Sequence, residues 1–153
     1  MPFKKNSFDI IISNSTLDNM PSRNVDKALK EMHRVLAKSG ILLLTLDNAE
    51  NPFYSFFYFI SKKFGLVPFY QDKCYKRKEI IKLLDRNNFK LLNFDSLIHI
   101  ITPANFIIKS IEHFDSNLAN HIAKFFIGLE NLLSNKHIKF KFGWFIVAIA
   151  RKK

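Results

Sequence analysis

The sequence predicts one α/β domain organised around a parallel βαβ unit, and three observations carry that expectation. Phe8 to Ser13 reads FDIIIS, a short β-branched apolar run that suits a strand buried on both faces. After a polar loop, Val25, Ala28, Leu29, Met32, Val35 and Leu36 fall on one helical stripe. Ile41 to Leu46 then reads ILLLTL, a second buried strand closed by Asp47 and Asn48. Two such strands joined by one helix should run parallel, with a right-handed crossover.

Local signals place the remaining elements. Asn24 is the expected N-cap of the first helix, with Asp26 favourably placed in its first turn. Lys38 in the last turn and a left-handed Gly40 would end it. An aromatic helix is expected after Pro52, and an amphipathic one over Tyr75 to Asp85 with Ile80, Ile81, Leu83 and Leu84 inward. Asn87 or Asn88 can end that helix, because Asn tolerates the left-handed region. Lys90 to Ile100 alternates and reads as a strand, residues 104–134 carry helical spacing, and Phe142 to Arg151 is a final strand. No repeat, low-complexity linker or domain boundary interrupts residues 1–153.

Composition narrows the function classes. Of the 24 basic and 13 acidic residues, 9 basic and 7 acidic lie in residues 1–72, against 15 and 6 in residues 73–153. A basic second half can attract nucleic acid, anionic lipid or an acidic ligand. The lysines are scattered along amphipathic elements and no nucleic-acid motif accompanies them, so solvated charge and no specific nucleic acid are expected. The single cysteine, Cys74, excludes an internal disulfide and a cysteine-based zinc site. A neighbouring lysine such as Lys73 can lower a thiol pKa, but a lone cysteine without a triad reads as inert. His33, His99, His113, His121 and His137 show no metal-ligand spacing, so no metal is expected. With no apolar run near the ~20 residues of a spanning helix, and no leader visible after MPFKKNSFD, the expected location is the cytoplasm.

Four phrases, in order, carry a family resemblance. MPFKKNSFDIIISNSTLDN, ALKEMHRVLAKSGILLLTLDNAENP, YKRKEIIKLLDRNNFKLLNF and FGWFIVAIARKK resemble the fourth strand and its loop, the next helix and fifth strand, the later helix and sixth strand, and the seventh strand of class I S-adenosylmethionine (SAM)-dependent methyltransferases of the type 11 kind. The resemblance implies a partial Rossmann-like methyltransferase sheet, with strands equivalent to the fourth, fifth, seventh and sixth. The last strand in sequence would be antiparallel, and a helical insertion would accompany the flanking helices. It also implies that residues 1–153 form the C-terminal portion of such a domain, since the family's Gly-rich loop has no counterpart and no G-x-G occurs. Asn19 stands where the family often has His.

Ligands of open α/β sheets bind at the carboxyl ends of the parallel strands. Those ends carry Ser13, Asn14 and Ser15, which the resemblance assigns to the cofactor, and Thr16, Asn19, Asp47, Asn48 and Asn51, assigned to the acceptor pocket. Asp18, the loop's carboxylate, could orient or deprotonate an acceptor, or cap a turn. Asn, Ser and Asp are also good turn residues in their own right. Glu31 and Arg34, three apart, should pair on the helix surface.

The implied reaction is methyl transfer from SAM to a small-molecule acceptor. SAM binding should be weak or absent without an N-terminal half, supplied as a separate chain. The alternatives are an inactive methyltransferase remnant, or a basic module that binds a partner or a membrane. Phe53 to Phe59, followed by Lys62 and Lys63, could lie on an anionic membrane or pack as a lid over the sheet. Ile10 to Ile12, lacking the neighbouring strand they would have in the family, should form an open edge that self-associates through residues 8–13.

Overall fold

The computed structural model describes residues 1–63, 73–97, 108–134 and 142–153. The order is β1 (Phe8–Asn14), α1 (Ser22–Val35), β2 (Leu36–Asp47), α2 (Pro52–Lys63), α3 (Arg77–Arg86), β3 (Phe89–Leu97), α4 (Ser116–Ser134) and β4 (Phe145–Lys152). The four strands form one sheet in the order β1-β2-β4-β3. β1 and β2 pair parallel, while β4 runs antiparallel to both β2 and β3. This is the expected strand order, with the antiparallel last strand inserted into the interior.

The core lies on one face. Leu42, Leu44 and Leu46 of β2 sit opposite Ala150, Ala148 and Ile146 of β4, all buried. Against them pack the α1 stripe (Val25, Leu29, Met32) and the α3 residues Ile80, Leu83 and Leu84. The small alanines of β4 make room for the leucines across the strand pair. Ile81, expected inward, is exposed; the α3 stripe is narrower than the apolar run suggests.

The helix ends differ from the expectations in instructive ways. α1 begins at Ser22 after Pro21, so Asn24 is not its N-cap, and Asp26 is spent elsewhere. α1 also ends earlier, at Val35. Leu36 is already extended and pairs with Phe8. The next pair is Ile10 with Ile41, so residues 37–40 bulge opposite Asp9. The left-handed residue is Ser39 (φ 60°), not Gly40. Gly40 is required for another reason: a Cβ there would lie 2.7 Å from Leu36 Cγ and 3.0 Å from the carbonyl oxygens of Ala37 and Asp9. The last α1 carbonyls, of Arg34 and Val35, accept from the amides of Asn6 and Ser7. The Glu31–Arg34 pair forms at 2.9 Å, as expected.

α3 starts at Arg77 rather than Tyr75, because Tyr75 bridges to Asn48 beyond the end of β2. Asn88 takes the left-handed conformation (φ 62°) that ends α3. Helical structure at residues 108–112 is separated from α4 by a turn, where Asp115 Oδ1 accepts from the amides of Asn117 and Leu118. β4 begins at Phe145, with Gly143 and Trp144 outside it. His99, His137 and the far end of the expected strand to Ile100 lie outside the described residues.

β1 is an edge strand among the described residues. Ile11 packs on the core, whereas Ile10 and Ile12, pointing to the other face, are 61% and 68% exposed. Beside it, Met1, Phe3, Phe8, Ile10, Ile11 and Val35 line an apolar cavity of about 310 Å³. No described helix is long and apolar enough to cross a membrane.

Candidate functional site at the strand ends

Parallel pairing of β1 and β2 brings their carboxyl ends together. Ser15 leaves β1 with positive φ (40°), and its amide donates both to the Thr45 carbonyl (3.2 Å) and to Thr45 Oγ1 (3.0 Å). Thr45 Oγ1 donates in turn to Asn14 Oδ1. Thr16 Oγ1 donates to the Asn14 carbonyl and Asn19 Nδ2 to the Ser15 carbonyl, closing a compact turn. Asn14, Thr16 and Asn19 remain exposed and Ser15 half-buried, while Ser13 is buried with its hydroxyl unpartnered among the described residues.

The loop then turns Leu17 and Asp18 inward, both with no exposed surface. Asp18 Oδ2 accepts from the backbone amide of Asp47 at 3.1 Å, and the two carboxyls hydrogen-bond to one another. Asp18 Oδ1 is buried without a partner. Burial, reinforced by the Asp18 charge, pushes the Asp47 carboxyl up to about 7. Asp18 is also raised by burial, with the amides around it pulling back. Two hydrogen-bonded carboxyls in so dry a pocket disfavour ionising together.

Tyr54 from α2 and Cys74 ahead of α3 complete the cluster. Tyr54 hydrogen-bonds Asp47 and stacks edge-on against Trp144 at 5.1 Å. Burial, with Asp47 next to it, drives the Cys74 thiol up to about 11. The ammonium of Lys73 does not counter this; it pairs with Glu79 at 2.9 Å and lies over the Tyr75 ring.

Asn48 and Asn51 act as struts. Asn48 Nδ2 donates to the Gly143 carbonyl and its Oδ1 accepts from the Glu50 amide. Asn51 Oδ1 accepts from the amides of Phe53 and Tyr54, capping α2 just before Pro52, and its Nδ2 donates to Phe142 and Gly143. These bonds tie α2 to the entry of β4. Thr45, Tyr54 and Tyr75 escaped the sequence reading. Thr45 and Tyr54 sit inside apolar runs, and only the strand register reveals them as neighbours of the loop. No group of three or more potential metal ligands exists among the described residues. A second cavity, of about 200 Å³, opens between α1 and α3 beside Ser22, Lys73, Tyr75, Lys82 and Arg86.

Comparison with solved structures fixes the architecture. The chain superposes on a SAM-dependent methyltransferase from Thermotoga maritima with a TM-score of 0.60 at 19% identity, covering 100% of this chain and 60% of that one. The fold is that of a class I SAM-dependent methyltransferase. A methyltransferase from Archaeoglobus fulgidus aligns with a TM-score of 0.61 at 10% identity, over 98% of this chain and 62% of that one. The 1,6-didemethyltoxoflavin-N1-methyltransferase of Burkholderia thailandensis, solved with its acceptor and S-adenosylhomocysteine, gives 0.52 at 11% identity over 97% and 45%. This chain therefore spans about three-fifths of the first of these methyltransferases. A family model described as a methyltransferase domain matches residues 1–44, the segment that contains β1, the loop and most of β2. No curated protein sequence matches the chain.

Proposed function

We propose that this chain forms the C-terminal, acceptor-facing portion of a SAM-dependent methyltransferase acting on a small molecule. The observation that carries this reading is the polar turn Asn14–Asn19 at the carboxyl ends of β1 and β2, the position at which open α/β sheets bind ligands, in a sheet of methyltransferase order. When bound, SAM supplies an electrophilic methyl on a sulfonium. The buried, unpartnered Ser13 hydroxyl and the neighbouring Asn14 and Ser15 suit the polar methionine end of that cofactor. Exposed Thr16 and Asn19 would meet the acceptor, and Asp18 would orient it or take its proton. Asp47, Asn48 and Asn51 would shape the acceptor side from behind.

No G-x-G phosphate- or adenosine-approaching loop exists in the sequence. The partner in this reading is a chain or second copy whose strand pairs with the outer edge of β1 through residues 8–13. SAM should bind the chain alone weakly or not at all, and calorimetry that finds micromolar affinity would refute this. In a complex reconstituted with an N-terminal half, Asp18→Ala should lower turnover more than Glu31→Ala, because Glu31 lies on the α1 surface. Equal losses would remove the site from the strand ends, and a reconstituted complex with no turnover would leave the inactive-remnant alternative.

A further inference from the structure

We propose that Asp18 and Asp47 share one proton and act as a single acid–base unit, with Asp47 as the positioning residue that holds Asp18 in place. The inference deepens the methyl-transfer reading and rests on it only for the unit's role, not for its existence.

The geometry is specific. The two residues lie 29 positions apart, and parallel pairing of β1 with β2 makes them neighbours. Asp18 has no exposed surface and Asp47 is 7% exposed, so water cannot screen them. The Asp47 backbone amide points at Asp18 Oδ2, which favours negative charge on Asp18 and leaves the proton on Asp47. Among the described residues, the titratable groups facing the pair are Tyr54 from α2, which hydrogen-bonds Asp47, and Cys74 from the segment before α3, whose thiol is pushed up to about 11. Among the described residues, the Lys73 ammonium beside Cys74 is engaged by Glu79, and the Arg77 guanidinium by Glu50. Neither cation neutralises the dyad, so a shared proton is the means by which this pocket keeps its net charge at one.

The unpartnered Asp18 Oδ1 is then the atom with capacity to accept. Oδ1 is covered in this fold, so in the forward reaction the acceptor's N–H or O–H proton would pass to it once the turn Asn14–Asn19 shifts to uncover it. The pair would go from one proton and one negative charge to two protons and none. The nucleophile's lone pair would form the new bond to the methyl carbon, and the carbon–sulfur pair would leave with sulfur. An acceptor with a protonated amine or a hydroxyl is the class this unit suits, because either has a proton to surrender. Asp47 would contribute through its hydrogen bond to Asp18, without touching the acceptor.

The test uses the whole chain and no cofactor. Carboxyl carbon shifts of aspartate-labelled protein would be followed across pH, in wild type, Asp47→Asn and Asp18→Asn. In wild type, one carboxyl should titrate at least two pH units above the ordinary aspartate midpoint, with both signals moving at each step. Either amide substitution should lower the raised step and leave a single uncoupled titration, since burial still acts on the remaining carboxyl; Asp47→Asn keeps a donor to Asp18 and so should keep the fold. Two independent titrations near the ordinary value in wild type would overturn the proposal, as would a raised step whose midpoint neither substitution moves. If a variant fails to fold, the coupled movement of both signals in wild type decides alone. The titration is blind to SAM, so failed methyl transfer and a failed dyad are separate outcomes.

Discussion

Arg86 grips Asp26 through two parallel hydrogen bonds, from Nε at 2.8 Å and Nη2 at 2.7 Å, and the same carboxylate accepts from the buried Asn87 amide at 2.7 Å. This joint fastens α1 to the end of α3, residues 60 apart in sequence. The fork is exposed and contributes under ~1 kcal/mol. The Asn87 amide, which also donates to the Leu83 carbonyl, is sheltered. Asn87→Ala should therefore cost about 1–2 kcal/mol and Arg86→Ala distinctly less, measured by urea denaturation. The Asp26 carboxyl is held below its usual range, first by Asn87 and then by Arg86. Its contribution is present above the unfolded carboxylate value and fades as pH falls through the lower folded one.

Gly40→Ala should destabilise by about 1–3 kcal/mol. The added methyl would meet Leu36 and two backbone oxygens, at 2.7–3.0 Å, and only the leucine can rotate away. Loss of the Phe8–Leu36 pairing, seen as faster amide exchange at the start of β2, would accompany it.

Cys74 should resist alkylation at pH 8, since its thiol titrates at about 11. Iodoacetamide kinetics on native and urea-unfolded chain would show this: the unfolded thiol should react at least tenfold faster, because its ordinary value is ~8.5. Equal rates would mean that the cluster around Asp47 is open to water.

The pH dependence of stability carries a second signature of the strand-end carboxyls. The Asp47 value is raised from 3.8 to about 7 in the fold, so the folded state binds more protons than the unfolded one between those limits. Stability should fall as pH rises across that window and level off above it, by a few kcal/mol at most. Asp47→Asn should flatten the curve and be the more stable form at pH 8.

The open edge can be examined by sedimentation. Ile12→Lys should reduce self-association without disturbing the core, because Ile12 points away from it. Ile11 is the poorer choice, since it packs against the buried cluster. A wild-type chain that stays monomeric at high concentration would show that the β1 edge does not template pairing.

Much of this architecture is legible one element at a time. The Val25–Leu29–Met32 stripe and the ILLLTL run announce the βαβ unit, because burial writes a period of 3.6 or an unbroken apolar block into the chain. Asn88 and the Glu31–Arg34 pair are legible for the same local reason. The end of α1 is not. Nothing local says that Leu36 will leave the helix to pair with Phe8, since Leu suits helix and strand alike and the sheet decides. The loop Ser13–Asn19 is visible as a polar break, but the meeting of Asp18 with Asp47, Tyr54 and Cys74 depends on register and on the path of the chain after Pro52. One signal was available: an acidic residue in each of two segments that a parallel crossover must bring side by side.

β4 is the last strand in sequence yet lies between β2 and β3, with pairing partners on both sides. During synthesis, β2 emerges about a hundred residues before its neighbour exists, several seconds at ~5–20 residues per second. Until then Leu42, Leu44 and Leu46 face an absent strand, and β3 has nothing to join. The nascent chain therefore cannot finish its sheet gradually. It holds β2 paired on one edge only, with β3 apart, and closes both seams in one late event, when β4 slides into the gap and Lys152 reaches the carbonyl of Leu36. That interval is when a chaperone would be most needed, and a chain released before Phe145 would leave the ribosome with the β1–β2 pair and the β3 strand unjoined.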